Sequence, residues 1–165
     1  KVLVQLLATA AGPAGMCGGQ AVDLLSVHSK LDLETLTLMH RMKTGAMIRA
    51  SALMGLYGST NKPSAQLIGL IAAYATALGL AFQVIDDILD VTADTDVLGK
   101  TAGKDAANDK PTYVSLLGID QARIMAETQF RESMVALSSI EDLPGMSGKT
   151  LRLQQIAQFV MNRDH

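Results

Sequence analysis

The sequence has one cysteine, no tryptophan and only 4% aromatic residues over 165 positions. A lone thiol, Cys17, excludes an internal disulfide. Fourteen Lys and Arg residues against sixteen Asp and Glu leave no positive surplus for a phosphate backbone, and few aromatic rings are available for base stacking. No secretory signal pattern precedes the first apolar run. We therefore expect a cytoplasmic protein without a nucleic-acid partner.

Long hydrophobic runs are also scarce. The longest, over 67–82, has about 16 residues, fewer than the roughly 20 that a membrane crossing needs. With 48% apolar residues, the chain has enough material for one sizeable core. The run therefore predicts a buried core helix and no membrane span.

Apolar residues recur at helical spacing nearly everywhere, and no sustained two-residue alternation is present, which predicts an all-α fold in a single domain over 1–165. Start and stop signals place helices over about 2–11, 32–57, 64–91, 120–140 and 147–161. Their signals are N-caps at Asp32, Ser64, Asp120 and Ser147 and a C-cap at Gly58. The polar segment 92–112 is predicted to be a long loop, typical of a functional lid.

Five glycine and proline residues crowd the segment 12–19, where the chain is expected to turn sharply or to let another backbone approach closely.

Acidic residues gather at the end of the long helix. Gln83, Asp86, Asp87 and Asp90 fall within an arc of about 100°. Asp86 and Asp90 are like charges four residues apart, near the negative end of the helix dipole, so their placement favours a compensating cation. Mg²⁺ suits such oxygen ligands. A solvated acidic helix end is the alternative.

A second polar cluster lies within the helix over 32–57. Lys43 and Thr44 are able to present an ammonium and a hydroxyl to a cavity, although a lysine extended along the surface is the favoured interpretation by spacing alone. Small residues along the long helix, Thr76 and Gly79 among them, leave room for an apolar guest or, as favoured, permit close helix packing. Arg163 is expected to belong to a frayed terminus.

Five motifs in order resemble the C-terminal half of the trans-isoprenyl diphosphate synthase family, with the nearest likeness to bacterial farnesyl diphosphate synthases. They are Gly-Gly-Gln-Ala-Val-Asp-Leu at 18–24, Lys-Thr-Gly-Ala at 43–46, Phe-Gln-Val-Ile-Asp-Asp-Ile-Leu-Asp at 82–90, Leu-Gly-Lys at 98–100 and Lys-Pro-Thr-Tyr at 110–113.

The resemblance implies a helical bundle of the isoprenoid synthase type, in which Mg²⁺ ions hold the diphosphate of an allylic substrate. That substrate ionises, isopentenyl diphosphate attacks the allylic cation, and a proton is lost. Metal ions and lysines stabilise the charge on the departing diphosphate. By this likeness Asp86, Asp87 and Asp90 are the metal ligands, Lys43 holds the allylic diphosphate, and Thr44 and Gln83 line the reacting centre.

The same likeness assigns Lys100 to the leaving diphosphate and Lys110 to closure of the site. It also implies a homodimer when the protein is intact. The family's first aspartate-rich motif and its arginine pair are missing from the sequence, so we interpret 1–165 as the C-terminal half of one domain, inactive alone. A non-catalytic helical subunit that pairs with a catalytic chain is the alternative, and a generic helical Mg²⁺-binding domain is a third.

Overall fold

The computed structural model describes residues 1–26, 31–59, 62–97 and 111–163, and every regular element in those ranges is helical. The helices are α1 Val2–Ala11, α2 Met16–Leu25, α3 Leu33–His40, α4 Ala46–Ser59, α5 Ala65–Val97, α6 Tyr113–Leu117, α7 Ile119–Glu141 and α8 Leu151–Asn162. A π-helical turn, Arg41–Gly45, joins α3 to α4. The all-α prediction is confirmed for the described part of the chain.

Helix α5 is the central element, because its side chains enter two apolar clusters. In one cluster it packs with α4, α7 and α8, where Leu53 and Leu137 are almost fully buried. In the other it packs with α3, α6 and α7 around Leu36, Val84 and Tyr113. The prediction of a buried core helix is confirmed.

Two stretches, Val2–Leu25 and Ala65–Thr92, are long and apolar enough to cross a membrane by length and composition. The core helix of a soluble protein meets the same criteria, so this observation is weak evidence. In α5 the most apolar window is 56% buried inside the molecule, compared with 17% in the first stretch. The apolar part of α5 is thus longer than the run 67–82 indicates.

Two predicted N-caps are confirmed by hydrogen bonds. The Thr35 amide donates to Asp32 Oδ1 at 2.8 Å. The Leu67 amide donates to Ser64 Oγ at 3.2 Å. Each side chain satisfies an amide that lacks a partner inside its helix.

Two predicted helix ends are wrong because the helices continue. Gly58 is not a C-cap, since α4 extends to Ser59. The polar segment 92–112 does not begin as a loop, since α5 extends to Val97, and its positions 98–110 lie outside the described residues. Thr92 Oγ1 donates to the Ile88 carbonyl at 3.0 Å, which lets a polar residue remain in the helix.

Two predicted starts are displaced by glycines with positive φ. Gly118, at φ +79°, is the N-cap of α7, so Asp120 lies inside the first turn and is not the cap. Gly148, at φ +71°, interrupts a right-handed helix, and α8 begins at Leu151 instead of Ser147.

Candidate active site

The π-helical turn Arg41–Gly45 carries the predicted lysine and threonine. Lys43 Nζ lies 2.6 Å from Asp23 Oδ2 of α2. Thr44 Oγ1 donates to Gln83 Oε1 of α5 at 3.1 Å. Isolated π turns inside α-helices occur frequently at functional sites. The turn therefore brings Lys43 and Thr44 into contact with two different helices.

Glycines on both sides let the π turn pack closely. A Cβ on Gly19 would lie 2.4 Å from the Lys43 amide nitrogen, and a Cβ on Gly79 would lie 3.2 Å from Gly45 Cα. The expectation that the glycine-rich segment lets another backbone approach is thus met at Gly19. Gly79 therefore allows close helix packing and does not leave space for an apolar ligand.

Gln83 connects the π turn to the acidic stretch 86–90 of α5. It accepts the Thr44 hydroxyl hydrogen bond, and it lies one turn before Asp87. The Gln83 side chain also acts to lower the pKa of Asp87. Three predicted site residues thus form one chain of polar contacts.

Asp87 is 6% exposed and accepts a hydrogen bond from the Tyr113 amide at 2.7 Å. Burial raises the pKa of Asp87 to about 7, and the Tyr113 hydrogen bond opposes that shift. This contact ties α5 to the first residue of α6. The arrangement favours a structural role for Asp87 beside its predicted role as a metal ligand.

Asp86 lies on the accessible side of α5 and pairs with Arg163, the residue that follows α8. Burial raises the pKa of Asp86, and the positive charge of Arg163 opposes the shift. Arg163 is thus not part of a frayed end. Asp90, one turn beyond Asp86, is exposed.

The three aspartates lie two to three turns before the end of α5 at Val97, and not at the helix end as predicted, and they do not converge. Among residues 1–26, 31–59, 62–97 and 111–163, no three His, Cys, Asp or Glu side chains form a group that could hold a metal ion. Asp86 nevertheless already faces a cation, the Arg163 guanidinium. Carboxylate oxygens are the donors Mg²⁺ prefers, with substrate phosphates completing its shell, so Asp86 and Asp90 fit such an ion.

His40 is a half-buried residue that sequence reasoning did not assign to the site. Its ring centroid lies 5.4 Å from that of Tyr113, and its Nδ1 has no hydrogen-bond partner in the described ranges. Burial lowers the pKa of His40 to about 4, and the charge of Lys43 acts in the same direction. The imidazole is therefore neutral at pH 7.

Asp23 is the second unassigned residue, although it belongs to the quoted motif at 18–24. No local pattern indicates its pairing with Lys43, because the two residues are 20 positions apart. Lys100 and Lys110, predicted to bind diphosphate and to close the site, lie outside the described residues.

Comparisons with known proteins identify the family of the chain. The family model described as polyprenyl synthetase matches residues 2–142. The farnesyl diphosphate synthase of Escherichia coli K12 is 41% identical over 162 residues, which are 98% of this chain and 53% of that protein. The probable farnesyl diphosphate synthase of Bradyrhizobium diazoefficiens is 46% identical over 140 residues, 84% of this chain and 42% of that protein. The chain thus spans about half the length of these curated relatives.

Solved structures show the same helical bundle. A putative farnesyl-diphosphate synthase from Marinomonas sp. MED121 superposes with a TM-score of 0.80 at 34% identity, covering 97% of this chain and 51% of that one. A Helicobacter pylori geranyltransferase, solved with magnesium and isoprenyl diphosphate, gives 0.79 at 35% identity, covering 95% and 51%. The fold is that of the isoprenyl diphosphate synthases, and the chain belongs to the polyprenyl synthetase family.

Proposed function

We propose that this chain forms part of a Mg²⁺-dependent prenyltransferase. The enzyme would join isopentenyl diphosphate to an allylic diphosphate, such as dimethylallyl or geranyl diphosphate, and release a short-chain product such as farnesyl diphosphate. The observation that carries the proposal is the Thr44–Gln83 hydrogen bond, which joins the Lys-Thr motif to the helix that bears the aspartates. The names of the relatives, and the magnesium and isoprenyl diphosphate in one neighbour, support it.

Asp86 and Asp90 are the residues that would hold the metal. Mg²⁺, when bound, supplies positive charge to the departing diphosphate. Lys43 is 35% exposed at its side chain, so its ammonium can serve Asp23 and a diphosphate oxygen together. Asp87 would support the site without binding the metal, because its carboxylate accepts the hydrogen bond of the Tyr113 amide and holds α6 against α5.

Thr44 and Gln83 would line the reacting centre. Their mutual hydrogen bond fixes the orientation of the hydroxyl and of the amide oxygen before substrate arrives. Fixed dipoles of this kind stabilise developing charge without reorganising during the reaction.

We also propose that the chain is the C-terminal half of one domain. Its match to about half of each relative supports this, and so does an exposed apolar face on α1, where Val4 is 72% exposed. Homodimer formation and cytoplasmic localisation stay predictions.

The test is turnover by the full-length gene product with geranyl diphosphate and radiolabelled isopentenyl diphosphate, in Mg²⁺ and in EDTA. We expect a longer prenyl diphosphate in Mg²⁺ only. Asp86→Asn should lower kcat by about 100-fold or more while the fold is retained. Asp142→Asn, at the exposed C-cap of α7, is the matched control and should behave as wild type. Absence of any longer product from the wild-type protein would reject the proposal.

A further inference from the structure

Arg163 follows α8 and contacts the acidic stretch 86–90 of α5. Its Nη2 donates to the Phe82 carbonyl at 2.9 Å and to Asp86 Oδ1. The guanidinium carbon lies 4.0 Å from the centroid of the Phe82 ring. The side chain is only 12% exposed. A residue at the edge of the described chain is thus held by three separate contacts.

The pairing leaves one polar group unsatisfied. Arg163 Nε is buried and has no hydrogen-bond partner within the described ranges. A buried guanidinium normally has most of its donors satisfied, because burial of an unpaired donor is costly. Release of Arg163 from this position therefore breaks fewer hydrogen bonds than release of a fully paired guanidinium would.

Space for the side chain to move exists beside it. A cavity of about 360 Å³ borders Arg163; most of its lining is apolar, and its other polar residues are Thr92, Arg123 and Glu127. The carboxylate of Glu127 offers a second acidic partner on that side. A guanidinium that leaves Asp86 would therefore find room in this cavity and one acidic side chain, beside the like charge of Arg123.

We propose that Arg163 is an internal counter-cation that occupies Asp86 until a divalent metal ion replaces it. This inference rests on the proposed function, in which Asp86 binds the metal. The guanidinium occupies Oδ1 of this carboxylate and neutralises its charge, so it competes with a metal ion there, and the ion pair lowers the apparent metal affinity.

The size of the effect follows from the population of the paired state. If Asp86 is released from Arg163 in about one molecule in ten, the apparent dissociation constant for the metal is about tenfold larger than the intrinsic one. Removing the guanidinium should restore the intrinsic value. Arg163→Lys keeps the positive charge but lacks the planar guanidinium that contacts the Phe82 carbonyl and Asp86 together. Its apparent dissociation constant for the metal should therefore lie between those of wild type and Arg163→Ala.

The experiment is a Mn²⁺ titration of the metal-free full-length gene product, followed by electron paramagnetic resonance of the free ion. We expect Arg163→Ala to bind Mn²⁺ about tenfold more tightly than wild type. Arg152→Ala is the matched control, because that arginine is exposed and donates a hydrogen bond to Gln155 of its own helix. It should leave the affinity unchanged.

Mn²⁺ binding by Asp86→Asn distinguishes failure of the proposed function from failure of the inference about Arg163. If it binds Mn²⁺ as tightly as wild type, the metal role of Asp86 and the proposed function fail together. If it loses Mn²⁺ binding while Arg163→Ala matches wild type, only the inference about Arg163 is overturned.

Limited trypsin digestion supplies a second readout on the wild-type protein. Trypsin binds the Arg163 side chain before it cleaves the following peptide bond, so the side chain must first leave Asp86. Cleavage should therefore be slow in EDTA and several-fold faster in Mg²⁺. Asp86→Asn should be cut rapidly in both. Cleavage of the wild-type protein that is insensitive to Mg²⁺ would overturn the proposal.

Discussion

Replacing Gly19 by alanine tests whether close packing builds the site. The new Cβ would lie 2.4 Å from the Lys43 amide nitrogen and 2.8 Å from its Cα, where ordinary contacts are 3.4–4 Å. These are backbone atoms, so no flexible side chain can move aside. Helix α2 must therefore shift by roughly 1 Å against the π turn.

The expected free energy change has two parts. Overpacking costs about 1–3 kcal/mol, whereas alanine gains up to about 1 kcal/mol over glycine in a helix. Gly19→Ala should therefore lower the free energy of unfolding by about 1–2 kcal/mol. Gly55→Ala, in α4 with nothing within 4 Å of its Cβ, should raise it by about 0.5–1 kcal/mol.

Urea unfolding of both variants measures these changes through the transition midpoint. The same substitution should thus give opposite signs at the two positions. Prenyl transfer should also fall in Gly19→Ala, because the shift disturbs the Lys43–Asp23 pair. Stabilisation by Gly19→Ala equal to that by Gly55→Ala would refute the reasoning.

Three further predictions concern single contacts. Tyr74→Phe removes a hydroxyl that donates to the Leu153 carbonyl at 2.9 Å, and should lower the free energy of unfolding by about 1 kcal/mol in urea titrations. Thr44→Val should reduce prenyl transfer about tenfold and Thr44→Ser should preserve it; equal rates would show that the hydroxyl has no role. The pKa of Asp87 is raised to about 7, so its contribution to stability is largest below its unfolded-state pKa of 3.8 and is lost as pH rises to 7. The pKa of His40 is lowered to about 4, so its contribution is present above pH 6.5 and is lost as pH falls to 4. Asp87→Asn removes the first contribution. The free energy of unfolding of this variant, relative to wild type, should therefore rise by on the order of 1 kcal/mol per pH unit between pH 4 and 6.5. The same pH dependence in the variant and in wild type would contradict this.

Local signals predicted local structure well. The helix over 2–11 and the caps at Asp32 and Ser64 were predictable because each depends on residues within one turn. Ends governed by positive φ at Gly118 and Gly148 were displaced, since composition does not reveal which glycines adopt that conformation.

The candidate site residues could be named from the sequence, but the contacts between them could not. Nothing in the spacing indicates that Arg41–Gly45 forms a π turn, because tertiary contacts decide it. Helical spacing placed Asp86 and Asp87 on one face. In the structure, however, Asp87 is buried and accepts a hydrogen bond from the amide of Tyr113, 26 positions away. The Arg163–Asp86 pair spans 77 positions. Contacts at such separations leave no periodic trace in the sequence.

The proposed function rests on two residue roles: Asp86 would hold the metal ion, and Lys43 would hold a diphosphate oxygen. Crystals of the full-length gene product grown with Mn²⁺ and inorganic pyrophosphate test it directly through the anomalous signal of the metal. The account predicts a peak within coordination distance of the Asp86 carboxylate, pyrophosphate in contact with Lys43, and Arg163 displaced. A peak elsewhere, with Asp86 still paired to Arg163, would contradict it.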